Sequence, residues 1–137
     1  MSSFTQHLDV RHIDGRLWKV LSPFSYDVGF EGSGETIHVP KGFLTDFASI
    51  PRPLWWLYPP AGRWAAAALI HDRLYFLAGR EVDGNRYTRW DADVIFLEGM
   101  EVLNVRLSTR WIMFLAVRAF GWWPWLKHKR NRKRENE

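Results

Sequence analysis

Apolar and polar residues alternate along the first third of the chain, which is the pattern of half-buried β-strands. The run 8–12 alternates in this way, and Asp14-Gly15, a strong hairpin turn signal, separates it from a second run over 16–21. The runs 26–30 and 36–40 flank a glycine-rich loop and predict another strand pair. We therefore expect a small N-terminal antiparallel β-sheet.

Beyond the proline-rich segment 51–60, the apolar residues take a helical spacing. Three helices are predicted, over residues 63–78, 89–104 and 110–120. Gly79 is a suitable C-terminal cap for the first helix, and Thr88 is a suitable N-cap for the second. Ser108 or Thr109 is expected to cap the third. The connection between the first two helices is short, so they should pack as an antiparallel pair.

Taken together, these elements predict an α+β fold. It consists of a small N-terminal antiparallel β-sheet, an antiparallel helix pair, and a Trp-rich third helix that Gly121 and Pro124 terminate. A chain of 137 residues can bury one hydrophobic core without disulfides. We expect a single domain over residues 1–126 and a basic C-terminal tail over 127–137.

Charge and cysteine content narrow the function classes. Residues 127–137 carry six basic and two acidic side chains, which account for the whole net charge of +4, while residues 1–126 carry thirteen of each sign. A neutral body makes nucleic-acid binding by the domain unexpected. The chain has no cysteine, and residues 1–10 lack the apolar run of a signal peptide. These features favour the cytoplasm of a bacterial cell, or a virus that infects one.

His71 and Asp72 stand side by side in an alanine-rich apolar helix, where ionisable side chains are rare unless they are paired or put to use. Tyr75 follows His71 by one turn and shares its face. If the second helix packs antiparallel, Asp93 should approach His71 to about 2.7–3.2 Å between heavy atoms. A carboxylate on one imidazole nitrogen fixes the tautomer and leaves the other nitrogen to take a proton from water. Asp72 would point elsewhere and could hold a cation beside the loop that carries Asp46.

The polar segment 45–52 offers further groups for the same site, each with an ordinary structural alternative. Ser49 would complete a formal nucleophilic triad with the His-Asp pair, although no nucleophile-elbow motif surrounds it. Arg52 could hold an anionic substrate group or pair with a carboxylate. Asp46 and Ser49 could instead form a turn before the prolines. The five histidines show no metal-ligand spacing, whereas Asp46 and Asp72 would suit calcium, which prefers oxygen ligands.

The helix pair resembles the site of secreted and bacterial phospholipases A2. The shared motifs are a His-Asp-x-x-Tyr helix (His71, Asp72, Tyr75), a partner helix with Asp, Phe and Met (Asp93, Phe96, Met100) and a loop with Asp, Ser and Pro (Asp46, Ser49, Pro51). The resemblance implies that His71 is a general base acting through a water and that Asp93 orients it. It also implies that Asp72 binds calcium and that Tyr75 supports the network. Unlike those enzymes, this chain has no cysteine for disulfides, and its loop is not glycine-rich.

Longer motifs resemble an uncharacterised family of phage and prophage proteins, defined as a domain of unknown function, over most of residues 40–122. The motifs are Thr-Asp-x-Ala-Ser-Ile-Pro-Arg (45–52), Ala-Ala-x-x-His-Asp-x-Leu-Tyr (67–75), Ala-Asp-x-x-Phe (92–96) and Val-Arg-x-Phe-Gly (117–121). The resemblance implies a phage origin, and hence the host cytoplasm or the virion, without an established activity.

The segment 111–126 is rich in Trp and contains Arg118 as its single charge. It is shorter than the ~20 residues that span a bilayer. Its Trp residues and the following basic run fit an interfacial anchor on anionic lipid, a core helix followed by a solvated tail, or docking to another phage protein or packaged DNA. We expect Trp111 and Phe114 in the core and exposure from Trp123 onward.

Two functions fit these observations. The first is a cation-assisted hydrolase of ester or lipid-like substrates. In that hypothesis His71, Asp93 and Tyr75 are catalytic, Ser49 and Arg52 contact the substrate, and Asp72 and Asp46 bind calcium. The alternative is a non-enzymatic phage structural or tail-associated protein, in which the His/Asp cluster is a buried structural network. The residues alone leave open whether the protein is an enzyme.

Overall fold

The computed structural model describes residues 3–4, 10–14, 17–29, 34–45, 65–80 and 85–135. Within these ranges, short antiparallel strands precede the helices, so the predicted α+β class is confirmed. No helix of the described part is both long and apolar enough to span a membrane.

The described strands form two small antiparallel sheets rather than the single sheet expected. The first sheet has the order β1-β4-β5 and the second the order β2-β3-β6. The strands are β1 (Ser3–Phe4), β2 (Val10–Asp14), β3 (Leu17–Val20), β4 (Phe24–Asp27), β5 (Thr36–Val39) and β6 (Leu44–Thr45). The predicted pairs are confirmed as β2–β3 and β4–β5. The strand β6 was not predicted, because two residues are too few to show an alternating pattern.

The helices are α1 (Ala65–Leu77), α2 (Arg89–Val102), α3 (Leu107–Phe120) and α4 (Trp122–Glu135). Ala78 and Gly79 follow α1 with positive φ angles of 44° and 87°, which confirms that the first helix ends at this glycine. Thr88 caps α2 as predicted. Its hydroxyl accepts a hydrogen bond from the Asp91 N–H at 3.1 Å, and the Asp91 carboxylate accepts one from the Thr88 N–H at 3.0 Å.

The predicted cap of α3 is wrong. The helix begins at Leu107, with Arg106 at the N-cap and no side-chain hydrogen bond to its first turn. Ser108 and Thr109 therefore lie inside the first turn, where their hydroxyls cannot take the N-cap position.

The C-terminal segment also differs from the expectation of three helices, because it forms a fourth. Gly121 ends α3 with right-handed helical angles (φ −71°, ψ −16°), and α4 starts at the next residue. Pro124 is the third residue of α4, where the helix requires no backbone N–H donor. The Lys and Arg residues that follow have high helix propensity, so a proline at this place starts a helix rather than ending one.

The core lies between α1, α2 and the two sheets. The residues of α1 from Ala67 to Ile70 are all buried, and the alanines among them let neighbouring elements approach closely. On the sheet side, Tyr26 is fully buried and its hydroxyl donates a hydrogen bond to the Glu98 carboxylate of α2. Glu98 also accepts the Gly29 N–H at 3.0 Å, so α2 is bound to the end of β4.

The aromatic residues of α3 and α4 divide between core and surface. Phe114 is buried and Trp123 is 61% exposed, as predicted. The core placement of Trp111 is wrong, since this ring is 47% exposed. Trp125 was expected to be exposed but is partly buried, and its ring contacts Tyr75 edge-on at 5.3 Å between centroids.

The position of Trp125 predicts that α4 stabilises the domain. Trp125→Ala should lower the free energy of unfolding by on the order of 2 kcal/mol, since truncation of a fully buried aromatic ring costs about 3–5 kcal/mol and this ring is partly buried. The exposed neighbour gives a matched control, because Trp123→Ala should change stability by less than about 0.5 kcal/mol. Urea unfolding followed by circular dichroism measures both. Equal losses of unfolding free energy in the two variants would contradict the packing of Trp125 against Tyr75.

Candidate functional site

The carboxylate of Asp93, on α2, is fully buried and is the centre of a polar network. Its Oδ1 lies 2.7 Å from His71 Nε2 and accepts a hydrogen bond from the Tyr75 hydroxyl at 2.6 Å. Its Oδ2 accepts a hydrogen bond from Arg118 at 2.8 Å and lies 3.6 Å from an Arg89 nitrogen. The network therefore joins α1, α2 and α3 through one carboxylate.

The geometry of this network follows from helix periodicity. His71 and Tyr75 are one turn apart on α1, so both face α2. Asp93 lies one turn inside the antiparallel partner, directly opposite them. The predicted contact between His71 and Asp93 is confirmed at 2.7 Å, as is the contact between Tyr75 and Asp93.

The two arginines of the network were not predicted. Arg89 precedes Asp93 by four residues on α2, a spacing that favours an ion pair. Arg89 also donates hydrogen bonds to the backbone oxygens of Val117 and Arg118 at 3.1 and 3.3 Å, which fixes the end of α3 against α2. The signal for Arg118 was its isolation, since it is the single charge of the apolar segment 111–126 and a charge in such surroundings needs a partner.

Aromatic rings hold the imidazole in place. The His71 ring centroid lies 4.2 Å from that of Tyr75 and 4.8 Å from that of Phe96. Gly121 makes this packing possible, because a Cβ at this position would stand 2.5 Å from the Tyr75 hydroxyl. A residue with a side chain would therefore displace either α4 or the tyrosine.

The protonation states follow from burial and hydrogen bonding. Burial alone would raise the pKa of Asp93, but hydrogen bonds and charge from His71, together with hydrogen bonds from Tyr75 and Arg118, outweigh it and hold that pKa below its ordinary value. Burial and the neighbouring Asp93 raise the pKa of Tyr75. Asp93 is therefore an anion that only accepts, and Tyr75 is a neutral donor. It follows that His71 Nε2 carries a hydrogen and donates it to Asp93.

The other imidazole nitrogen, His71 Nδ1, is buried and has no hydrogen-bond partner among the described residues. An unsatisfied buried polar atom costs about 1–3 kcal/mol, and native structures contain few of them. When the ring is neutral, the tautomer fixed by Asp93 places the lone pair on this nitrogen. His71 Nδ1 then carries an oriented lone pair, which is the group that a general base uses to take a proton.

Asp72 points away from this network, as expected. It is partly exposed, and its carboxylate accepts a hydrogen bond from the hydroxyl of Thr45, at the end of β6. This contact brings the start of the segment 45–52 to α1. The predicted site residues Asp46, Ser49 and Arg52 lie outside the described residues, so the structure does not place them beside Asp72.

The described residues contain no group of three or more His, Cys, Asp or Glu side chains arranged to hold a metal ion. Of the two predicted calcium ligands, the structure describes Asp72 alone.

Comparison of the sequence with models of known protein families identifies the family of this chain. The sequence model of a family described as a protein of unknown function (DUF1353) matches residues 18–117. The chain belongs to this family. The prediction of an uncharacterised domain family is thereby confirmed. The DUF1353 match includes His71, Tyr75 and Asp93 and ends one residue before Arg118. No curated protein and no solved structure matches the chain.

The buried carboxylate predicts how stability depends on pH. The pKa of Asp93 is lower in the folded state, so its stabilising contribution is complete above the unfolded value of about 3.9 and is lost as the pH falls through the folded value. At neutral pH, Asp93→Asn should cost about 1.5–3 kcal/mol, because the charged hydrogen bond with the partly exposed Arg118 is lost. The variant should also lose part of the acid dependence of unfolding.

The exposed residue Glu101 on the same helix supplies the control. Glu101→Gln should stay within about 0.5 kcal/mol of the wild-type protein. Urea unfolding at neutral pH and below pH ~4 measures these quantities. If Asp93→Asn were as stable as Glu101→Gln, the central place of Asp93 would be wrong.

Proposed function

We propose that the protein is a hydrolase with a phospholipase A2-like His/Asp site that acts on ester or lipid-like substrates. The observation that carries the proposal is the arrangement at His71. Its Nε2 is bound to the buried Asp93, and its Nδ1 has no hydrogen-bond partner among the described residues.

In the proposed reaction, His71 Nδ1 takes a proton from a water molecule, whose oxygen attacks the ester carbonyl carbon. The resulting imidazolium is stabilised by the anionic Asp93, which keeps the ring in one orientation. The tetrahedral intermediate then breaks the bond between carbon and the leaving oxygen. The proton on Nδ1 passes to that leaving alcohol, so the base returns to its starting state.

Tyr75 and Arg118 serve this reaction through Asp93. Both donate to the carboxylate, Tyr75 to Oδ1 and Arg118 to Oδ2, and so restrict its rotation. An aspartate fixed at both oxygens presents one lone-pair direction to His71. Tyr75 also packs against the imidazole ring, which limits its tilt.

The metal contacts of the proposal rest on the sequence resemblance, and its substrate contacts rest on the residue types in the segment 45–52. Ser49 and Arg52 would contact the substrate, and Asp72 with Asp46 would bind calcium through carboxylate oxygens. Bound calcium would polarise the ester carbonyl and offset the charge of the intermediate. The hydrogen bond from Thr45 to Asp72 supports this arrangement, since it brings the chain leading to Asp46 next to α1.

A second candidate is a phage structural or tail-associated protein in which the same cluster is a stabilising network. The low exposure of His71, 2%, favours it, as does the use of both Asp93 oxygens by side chains from other helices. A purely structural network, however, would satisfy its buried nitrogen atoms. The absence of a partner for Nδ1 among the described residues is the reason for preferring the hydrolase.

The biological setting is also proposed from sequence. The motifs favour a phage or prophage origin and a place in the host cytoplasm or the virion. Other phage proteins or a membrane surface, reached through the Trp-rich basic C-terminus, are the proposed partners. The neutral body of the chain gives no support for a nucleic-acid partner.

The hydrolase proposal predicts that activity depends on His71. Hydrolysis of a short-chain chromogenic ester, and of dispersed phospholipid, should fall at least ~100-fold in His71→Gln, because glutamine cannot act as a general base. The exposed His38 on β5 is the control, and His38→Gln should retain activity. The proposal is wrong if His71→Gln hydrolyses these substrates as fast as the wild-type protein does. It is also wrong if the wild-type protein hydrolyses neither substrate.

The calcium part has a separate test. Isothermal calorimetry should detect binding of calcium to the wild-type protein and weaker binding to Asp72→Asn, since one carboxylate ligand is removed. Glu101→Gln is the control and should bind as the wild type does. Wild-type protein that releases no heat and shows no thermal shift with calcium would remove the metal from the mechanism.

A further inference from the structure

The exposed face of α3 is apolar. Leu107, Trp111 and Leu115 recur every four residues and so share one face of the helix. Their exposed fractions are 60%, 47% and 60%. Trp90 of α2, 55% exposed, extends this surface, because Trp90 and Trp111 both contact the Phe114 ring, at 5.9 and 5.7 Å between centroids. These residues, Leu107, Trp111, Leu115 and Trp90, are called the outer patch.

The helix that follows adds exposed rings and positive charge. Trp122 and Trp123, at the start of α4, are 51% and 61% exposed. Lys127, Lys129 and Arg130 come next and are also exposed. From residue 102 to residue 134, the sequence contains nine Lys and Arg residues and no Asp or Glu. The two C-terminal helices are therefore apolar and basic, and Glu135, the last residue of α4, is their one acidic residue.

This combination indicates the kind of partner. Contiguous exposed apolar surface marks a contact with a protein or a membrane. A second copy of the chain is disfavoured, because a symmetric interface would bring two surfaces of the same positive sign together. An anionic phospholipid bilayer complements both properties: Trp and Leu side chains enter the headgroup region, and Lys and Arg side chains lie against anionic headgroups.

We infer that the outer patch and the basic helix α4 dock the protein on the surface of an anionic phospholipid bilayer. The docking helices are also the helices that support the site. Arg118 of α3 binds Asp93 and stacks over Trp90 at 5.0 Å, and Trp125 of α4 packs on Tyr75. The inference also names a substrate class for the proposed hydrolase, namely the esters of bilayer lipids. This part of the inference rests on the proposed function.

Vesicle sedimentation tests the docking. The His71→Gln protein is used throughout, so that lipid is not consumed. It should bind vesicles of equal parts phosphatidylcholine and phosphatidylglycerol, bind pure phosphatidylcholine much more weakly, and dissociate as salt rises. The combined substitution Leu107→Ser, Trp111→Ser and Leu115→Ser should weaken binding to the mixed vesicles by more than about tenfold, because its apolar anchor is removed.

The control changes equally exposed apolar residues on the strands. Ile13 and Leu44 are 48% and 50% exposed, and Ile13→Ser with Leu44→Ser should bind as the parent protein does. Circular dichroism verifies that both multiple variants are folded. The inference is overturned by absence of vesicle binding, by equal binding to the two vesicle types, or by undiminished binding of the outer-patch variant. The inference is also overturned if the parent protein forms a dimer and only the outer-patch variant does not, because the surface would then bind a second copy.

The binding test is independent of catalysis. Vesicle binding by His71→Gln together with absence of wild-type ester hydrolysis contradicts the proposed function and leaves the docking surface standing. Hydrolysis of a short-chain ester in free solution by the wild-type protein, together with absence of vesicle binding, contradicts the docking surface alone.

Discussion

A carboxylate without access to water is stable only when other groups replace its hydration, and Asp93 meets this condition through side chains from two other helices. Burial of the ion costs several kcal/mol, and hydrogen bonds from His71, Tyr75 and Arg118 together offset that cost. The packing of α1, α2 and α3 is thereby restricted to the arrangement that brings these groups together. The rest of the helical layer is built around that requirement.

The same contacts support both candidate functions. Every hydrogen bond that orients His71 also stabilises the domain. The two functions differ at one atom, Nδ1, because a stabilising role gives that atom no reason to be buried without a partner among the described residues. Its reactivity therefore distinguishes the functions more directly than the stability of the network does.

Sequence patterns could predict contacts that depend on local geometry. The pairing of His71 with Asp93 follows from the helical period and a short connection, and the cap at Thr88 follows from the spacing to Asp91. The isolation of Arg118 indicates a carboxylate partner, but the choice of Asp93 could not be predicted, because it depends on the rotation of α3 against α2. The helix α4 was missed because Gly121 and Pro124 can end a helix or start one, and tertiary contacts of Trp125 decide between these outcomes.

The spread of the network along the chain has a consequence for folding. Asp93 is 22 positions from His71 and 25 positions from Arg118 along the chain, and none of the three helices contains the whole set. Ordering the imidazole therefore comes late, after the loop-closure entropy of bringing the helices together has been overcome. A nascent chain that has not yet docked α3 would hold His71 without its full set of restraints. The complete restraint of the His71 ring is therefore a property of the finished domain and not of any intermediate on the way to it.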